Sequence, residues 1–211
     1  MLPAYEPCTG FGDKCNSMVW APEKGHIPRG YCGATNRLAD IRLLLICAEP
    51  GDPHLNESHI ARPTPEGYLN SAYDYAWKCF AEGKDQFHRN IRKILNLCFP
   101  NMSFEEQMKY SIITDAVLCS AKKEGGRINS RIEKNCAEQF LVRIIEKLPS
   151  ATIAALGKKA QSRLERVGVR NYIPAFAAAP PGCNFKRANE SWNRIAERLK
   201  AGANNGFHRK A

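Results

Sequence analysis

The segment Cys47-Ala-Glu-Pro-Gly-Asp-Pro-His54 sets two carboxylates, Glu49 and Asp52, around a Pro-Gly turn that directly follows an apolar run. A turn of this kind presents backbone N–H groups and acids together, a combination suited to orienting water or steadying a developing charge. A plain turn with solvated acids has the same composition. A third acid, Asp115, lies inside the otherwise apolar stretch Tyr110 to Leu118. Burying a carboxylate is costly unless it has a partner or a job. The loop Ala177-Ala-Ala-Pro-Pro-Gly-Cys183-Asn184 is built from small residues, which let a ligand or another backbone come close, and Lys186 and Arg187 follow it.

These residues need elements to hold them. Ile41 to Cys47 is almost continuously apolar, as a strand buried on both faces should be. Tyr110 to Leu118, Ala151 to Leu156 and Asn171 to Ala178 are three further strand candidates. Between them lie helical patterns. Arg89 to Cys98 carries Ile91, Ile94, Leu95 and Cys98 at helical spacing. Ser103 to Glu106 and Ser130 to Glu133 both read as capping boxes, the second opening a long helix over 132–148. A basic helix follows Gly157 and ends near Gly168, and a last amphipathic helix spans 187–199. Alternating strands and helices with short connections predict an α/β fold: a three-layer α/β/α sandwich around a central, mainly parallel four-stranded sheet. Ligands of such sheets sit at the carboxyl ends of the strands, here just after residues 47, 118, 156 and 178.

The chain has 211 residues, 44% hydrophobic and 25% charged, enough for one globular domain with a core of its own. Residues 1–38, rich in Gly, Pro and Cys, read as an arm packed on a domain spanning 39–200, and 201–211 as a flexible basic tail. No apolar run reaches the length of about 18 residues that a membrane span needs. The beginning of the chain does not resemble a secretory signal, so a cytoplasmic location is expected and its nine cysteines are not read as a disulfide framework. The net charge of +10 is uneven. Residues 151–211 hold 12 Lys and Arg against 3 Asp and Glu, whereas the first 150 residues hold 19 against 18. A cationic third attracts polyanions, nucleic acid foremost.

The order of these segments resembles the uracil-DNA glycosylase superfamily, especially its iron–sulfur-containing bacterial branch. The resemblance runs from about residue 38 to 200. Cys47-Ala-Glu-Pro-Gly51 is similar to that family's first motif, Gln86-Phe87 with Ile94-Leu95 keeps the spacing of its aromatic segment, and Ile113-Thr-Asp-Ala-Val-Leu-Cys119 matches its next strand. Cys136 opens a helix where relatives have a further cysteine, and Ala155-Leu156-Gly157 matches the following strand end. Where the family's last motif is His-Pro-Ser, this chain has Ala179-Pro180-Pro181.

The resemblance implies a monofunctional DNA glycosylase that draws a nucleotide out of the stack and hydrolyses its N-glycosidic bond. Glu49 is then the favoured catalytic carboxylate, with Asp52 close by. Phe87 stacks on the flipped base, and backbone groups around Ala48 and Gly51 help hold it. Asp115 stands where relatives commonly have Asn and would read the rim of the base. An ionised Asp only accepts hydrogen bonds, which suits the amino group of a modified cytosine, while a protonated one would tolerate a uracil-type base. Without the last-motif histidine, His54 or His88 is left to compensate. Asn184, Lys186 and Arg187 would meet DNA phosphates. Relatives hold a 4Fe–4S cluster with two cysteines of the domain and two of the arm, which implies Cys8, Cys15, Cys119 and Cys136 here. Cys32 is a further candidate, and zinc is the alternative for a set of soft thiolates. A non-catalytic DNA-binding module on the same fold is the competing reading. A small-molecule α/β enzyme is disfavoured by the basic final third, and no G-x-G-x-x-G or phosphate-loop motif suggests a nucleotide cofactor.

Overall fold

The computed structural model describes residues 2–8 and 17–206, the last four by backbone alone. Its centre is a five-stranded mixed sheet in the order β1-β3-β2-β4-β5. The strands are β1 (Cys32–Gly33), β2 (Leu43–Cys47), β3 (Ser111–Asp115), β4 (Thr152–Leu156) and β5 (Ile173–Ala175). The inner pairs β3–β2, β2–β4 and β4–β5 are parallel, and β1 runs antiparallel to β3. The expected count of four strands is corrected to five, because two residues of the arm complete the sheet. Cys32 and Gly33 pair with Ile113 and Ile112, leaving no side-chain period for a sequence to reveal.

Among the described residues seven α-helices surround the sheet: α1 (Pro65–Glu82), α2 (Gln86–Cys98), α3 (Phe104–Lys109), α4 (Ser130–Cys136), α5 (Val142–Glu146), α6 (Lys158–Arg166) and α7 (Ala188–Gly206). Strand residues alternate between two cores. Leu43, Leu45, Ile113, Ala154 and Leu156 meet α1, α2, α3 and α7 on one face through Phe80, Ile91, Ile94, Leu95, Met108, Trp192 and Ile195. Leu44, Ile46, Ile112 and Ala155 meet Ala137, Leu141, Ala160 and Leu164 on the other. All five residues of β2 are buried, as the continuous apolar run requires.

Helix starts follow local chemistry. Thr64 caps α1 by accepting the Gly67 N–H, with Pro65 in the first turn, and Gly83 ends that helix at φ 62°. Ser103 and Glu106 form the expected capping box on α3. The second expected box is absent: Asn129 caps α4 by accepting the Arg131 N–H, so Ser130 lies inside the first turn. The long helix expected over 132–148 is also interrupted, passing through a π segment (Ala137–Leu141) between α4 and α5. Helix α1 was hidden from apolar periodicity because its buried stripe is mostly small, with Gly67, Ala72, Ala76 and Cys79 preceding Phe80. The last helix continues to Gly206, past the expected start of the tail, and residues 207–211 lie outside the described residues.

The arm is tied to the segment after β3. Val19 N–H donates to the Ser120 carbonyl, Lys122 N–H to that of Ser17 and Arg29 N–H to that of Leu118. Tyr5, Met18 and Ile27 share a small core there with Ala72, Val117, Leu118, Ile128 and Ile132. None of the described helices is long and apolar enough to cross a membrane.

Ile195 lies wholly buried where α7 packs across α2. Ile195→Ala is expected to lower unfolding free energy by about 2–5 kcal/mol in chemical denaturation, because deleted core methyl groups leave a cavity.

Candidate functional site

A hollow of about 290 Å³ opens at the carboxyl edge of the parallel strands. Cys47, Ala48, Glu49, Pro50, Gly51 and Asp52 line it from the loop after β2, and Asp115 from the end of β3. Phe87 lines it from the first turn of α2, and Ala177 to Ala179 from the loop after β5. Glu49, Phe87 and Asp115 therefore converge on one space, together with Ala48, Gly51 and Asp52. Parallel β2 and β3 place Cys47 opposite Asp115, which brings two residues far apart in sequence to the same rim.

Both oxygens of Glu49 are engaged. Lys159 Nζ donates to Oε1 at 2.7 Å and Arg163 Nη1 to Oε2 at 2.5 Å. Arg163 is itself buried and passes through Nε to Glu133 at 3.0 Å, and Arg166 closes on the same glutamate. Lys159 also donates to the carbonyls of Gly125 and Gly126. Glu49 is thus a fixed negative charge rather than a swinging side chain, although each carboxylate oxygen keeps a lone pair for another donor. Asp52 stands exposed on the rim. The turn that carries both acids is held from the arm: Arg29 Nη2 and Ser120 Oγ both donate to the Gly51 carbonyl, the latter at 3.0 Å. Arg29 also pairs with the buried Glu57 at 3.1 Å.

Asp115 lines the same hollow but has no ion-pair partner of its own among the described residues. Its side chain is buried beneath Gly30, where an added Cβ would collide with Oδ2. Gly30 adopts φ 82°, so a side chain is disfavoured there twice over. Burial, and then the nearby charge of Glu49, push the Asp115 carboxyl up to about 8, more than Arg29 and Arg163 pull it down. At neutral pH Asp115 is therefore mostly an uncharged acid that can both donate and accept.

Phe87 is half-buried and packs against Phe80 with ring centres 5.8 Å apart and against His88 at 5.1 Å. A second polar group lines the same hollow: His54, Glu57, Tyr75, Asp85 and His88. Burial lowers the His88 pKa more than Asp85 raises it, so His88 is neutral near pH 7. Asn184, Lys186 and Arg187 do not line the hollow. They stand exposed on the neighbouring loop, which is fastened to α2 by Gln86 donating to Asn184 at 3.3 Å and Asn90 donating to the Ala178 carbonyl at 2.8 Å. Phe185 projects from the same loop with 58% of its surface exposed.

Arg29, Lys159, Arg163 and Tyr75 escaped the sequence reading. Lys159, Arg163 and Arg166 do lie on one face of α6, and Tyr75 shares the inward stripe of α1 with Ala72, Ala76 and Cys79. Only the helix α1 itself had to be seen first.

Cys8, Cys119 and Cys136 share a neighbourhood at the base of the arm. Burial pushes the Cys119 thiol up, and Cys136 and Cys8 add to it. Burial likewise takes Cys136 up to about 11, with Cys8 adding and a Leu118 backbone hydrogen bond opposing. Three soft donors close enough to disfavour each other's charge are the kind of set a thiophilic centre relieves. Among the described residues no group of three or more His, Cys, Asp or Glu is already arranged around a single point as a metal site. Cys15, the expected fourth donor, lies outside the described residues. Cys32 is buried in the sheet core instead.

No family model matches the chain, and no curated protein matches it.

The Asp115 carboxyl has a simple thermodynamic signature. Its folded pKa of about 8 lies above the ordinary 3.8, so above pH 4 the unfolded chain releases a proton that the folded one keeps. Stability from this group is complete below pH 4, falls as pH rises and levels off above about 8. Asp115→Asn removes the ionisation. Denaturation curves should show the two proteins alike near pH 4 and the variant gaining until about pH 8; parallel pH profiles would contradict the buried acid.

Proposed function

We propose that the chain is a monofunctional DNA glycosylase of the uracil-DNA glycosylase type, on the corresponding three-layer α/β/α fold. The observation that carries this reading is the convergence of Glu49, Phe87 and Asp115 on one hollow at the carboxyl edge of the sheet. A base extruded from DNA needs an aromatic face, a polar grip on its rim and a charge near the sugar, and these three side chains supply one each.

Phe87 covers the base. Neutral Asp115 donates to a carbonyl oxygen and accepts from a ring N–H, as an amide would, so a uracil-type base fits at pH 7 alongside the modified cytosine that an ionised Asp would favour. As the C1′–N bond lengthens, positive charge gathers on the sugar, and the fixed carboxylate of Glu49 stabilises it and accepts a hydrogen bond from the incoming water. Ala48 and Gly51 shape the floor of the base site. Asp52 at the rim is placed to orient the same water. Asn184, Lys186 and Arg187 take phosphates of the strand, while Phe185 is poised to fill the gap the flipped nucleotide leaves. The excess of positive charge in residues 151–211 supports the same partner.

The non-catalytic alternative draws on two features, the pairing of both Glu49 oxygens with cations and the Ala at position 179. Single-turnover base release separates the two readings. Oligonucleotides carrying uracil, cytosine or 5-substituted cytosines are incubated with the protein and abasic sites are scored. Release of at least one base is expected, with the preference between carbonyl-bearing and amino-bearing bases reversing as pH rises through about 8, where Asp115 ionises. Tight DNA binding without abasic product from any substrate would establish a binding module.

We further propose that Cys8, Cys119 and Cys136, with Cys15, hold a 4Fe–4S cluster, or zinc in its place. When bound it pins the arm, and with it Arg29, to the domain. Protein purified without oxygen is expected to carry about four irons per chain, against less than about one for Cys119→Ser. Stoichiometric zinc would select the alternative, and neither metal would remove the proposal.

A further inference from the structure

Glu49 lines the hollow, but its two cationic partners, Lys159 and Arg163, line a separate groove of about 840 Å³. Arg127, Lys158 and Arg166 bring three more cations to that groove. Glu133 is its one carboxylate among the described residues, and Arg163 and Arg166 already match it. Ser130 and Ser162 add hydroxyls. Helix α6 starts here, behind Gly157, with no side-chain cap. Its first turn therefore presents backbone N–H groups that the helix itself cannot satisfy.

Basic helix starts are common on protein surfaces, and two buried donors set this one apart. Arg163 is only 2% exposed. Its Nε donates to Glu133 and its Nη1 to Glu49, while Nη2 is buried at the groove wall with no acceptor among the described residues. Ser17 Oγ, on the arm side of the same groove, is likewise buried without a partner among them. A buried donor left unpaired is costly, the more so when it carries charge, and an anionic oxygen relieves that cost. Five cations against Glu133 and the shared Glu49 favour an anion of more than one charge. Among the described residues no aromatic ring lines the groove, so a nucleobase has no face to stack on there. A phosphate group, with several charged oxygens for donors that converge from two helices and the arm, meets each of these demands.

We propose that this groove binds a dianionic phosphate, free or as a monoester, and that the phosphate competes with Glu49 for Lys159 and Arg163. Lys159 Nζ spends its three hydrogens on Glu49 at 2.7 Å and on the carbonyls of Gly125 and Gly126 at 2.9 and 3.2 Å. An anion in the groove draws on the same ammonium, and on the same guanidinium through Nη2. Two anions that share one pair of cations each loosen the other's hold, and by the same factor in both directions. Occupation of the groove thus weakens the clamp on the turn after β2. The site stands whether or not the chain cleaves bases from DNA.

The test is titration calorimetry of the whole chain with inorganic phosphate, at fixed ionic strength in chloride. Wild type should bind one phosphate with a Kd below about 1 mM. Arg127→Gln/Lys158→Gln removes two exposed cations outside the Glu49 and Glu133 pairs and should weaken binding at least about 10-fold. Glu49→Gln takes away the competing anion and should tighten binding about 5-fold, a gain that damage to the fold would not produce. Absence of saturable binding by wild type, or equal binding by the double variant, would overturn the site. Unchanged or weaker binding by Glu49→Gln would overturn the competition. Two oligonucleotides of one sequence, ending in a 5′-phosphate or a 5′-hydroxyl, then compete against bound phosphate. Displacement by the phosphorylated one alone assigns the site to the end of a strand, and displacement by neither assigns it to free phosphate. Equal displacement by both would show internal phosphodiesters filling the groove and overturn the monoester.

Discussion

The guanidinium of Arg163 is the joint on which the site depends. It is buried between α4, α6 and the loop after β2, and its two partners, Glu49 and Glu133, come from that loop and from α4. A buried cation with two carboxylates is not a large net source of stability, because desolvation offsets most of the attraction. What it supplies is uniqueness: removing Arg163 strips a partner from two carboxylates at once, a loss of about 3–5 kcal/mol, so the loop bearing Glu49 has one low-energy position. The basic face of α6 thus acts first as a structural clamp, and only the remaining exposed cations contribute to the surface field.

The same sheet edge holds two carboxyl groups in opposite states. Glu49 is matched by cations on both oxygens, while Asp115, a strand away, is sealed under Gly30 and raised by that very charge. Environment divides their labour: one remains an anion that can steady positive charge, the other an acid that can donate. Neither state follows from residue type, and that of Asp115 depends in part on Glu49 being present.

Much of the framework was legible from the amino acids. The apolar run ending at Cys47 and the small-residue strand ending at Leu156 read as buried strands because burial on both faces leaves no room for polar alternation. The parallel arrangement then put Glu49 and Asp115 at a common edge. The residues that stayed hidden have physical reasons for it. Two-residue β1 has no period, and the inward face of α1 is mostly Gly, Ala and Cys, too weakly apolar to stand out. Asn129 took the cap that Ser130 was expected to form, a shift of one residue that composition does not decide. Arg29 and Tyr75 act through contacts spanning 22 and 21 residues, to Gly51 and His54, which only the folded chain brings together.

The two margins of the sheet bear on how molecules of this protein meet one another. Unpaired strand borders invite a neighbouring chain to add its own strand. Here one border is only Cys32–Gly33, too short to template an intruder. The other, β5, has Pro174 at its middle, a residue without an N–H to offer a newcomer. Both flanks are thereby blunted against stacking into fibrils, a protection that suits a sheet whose central strand is as greasy as Leu-Leu-Leu-Ile-Cys.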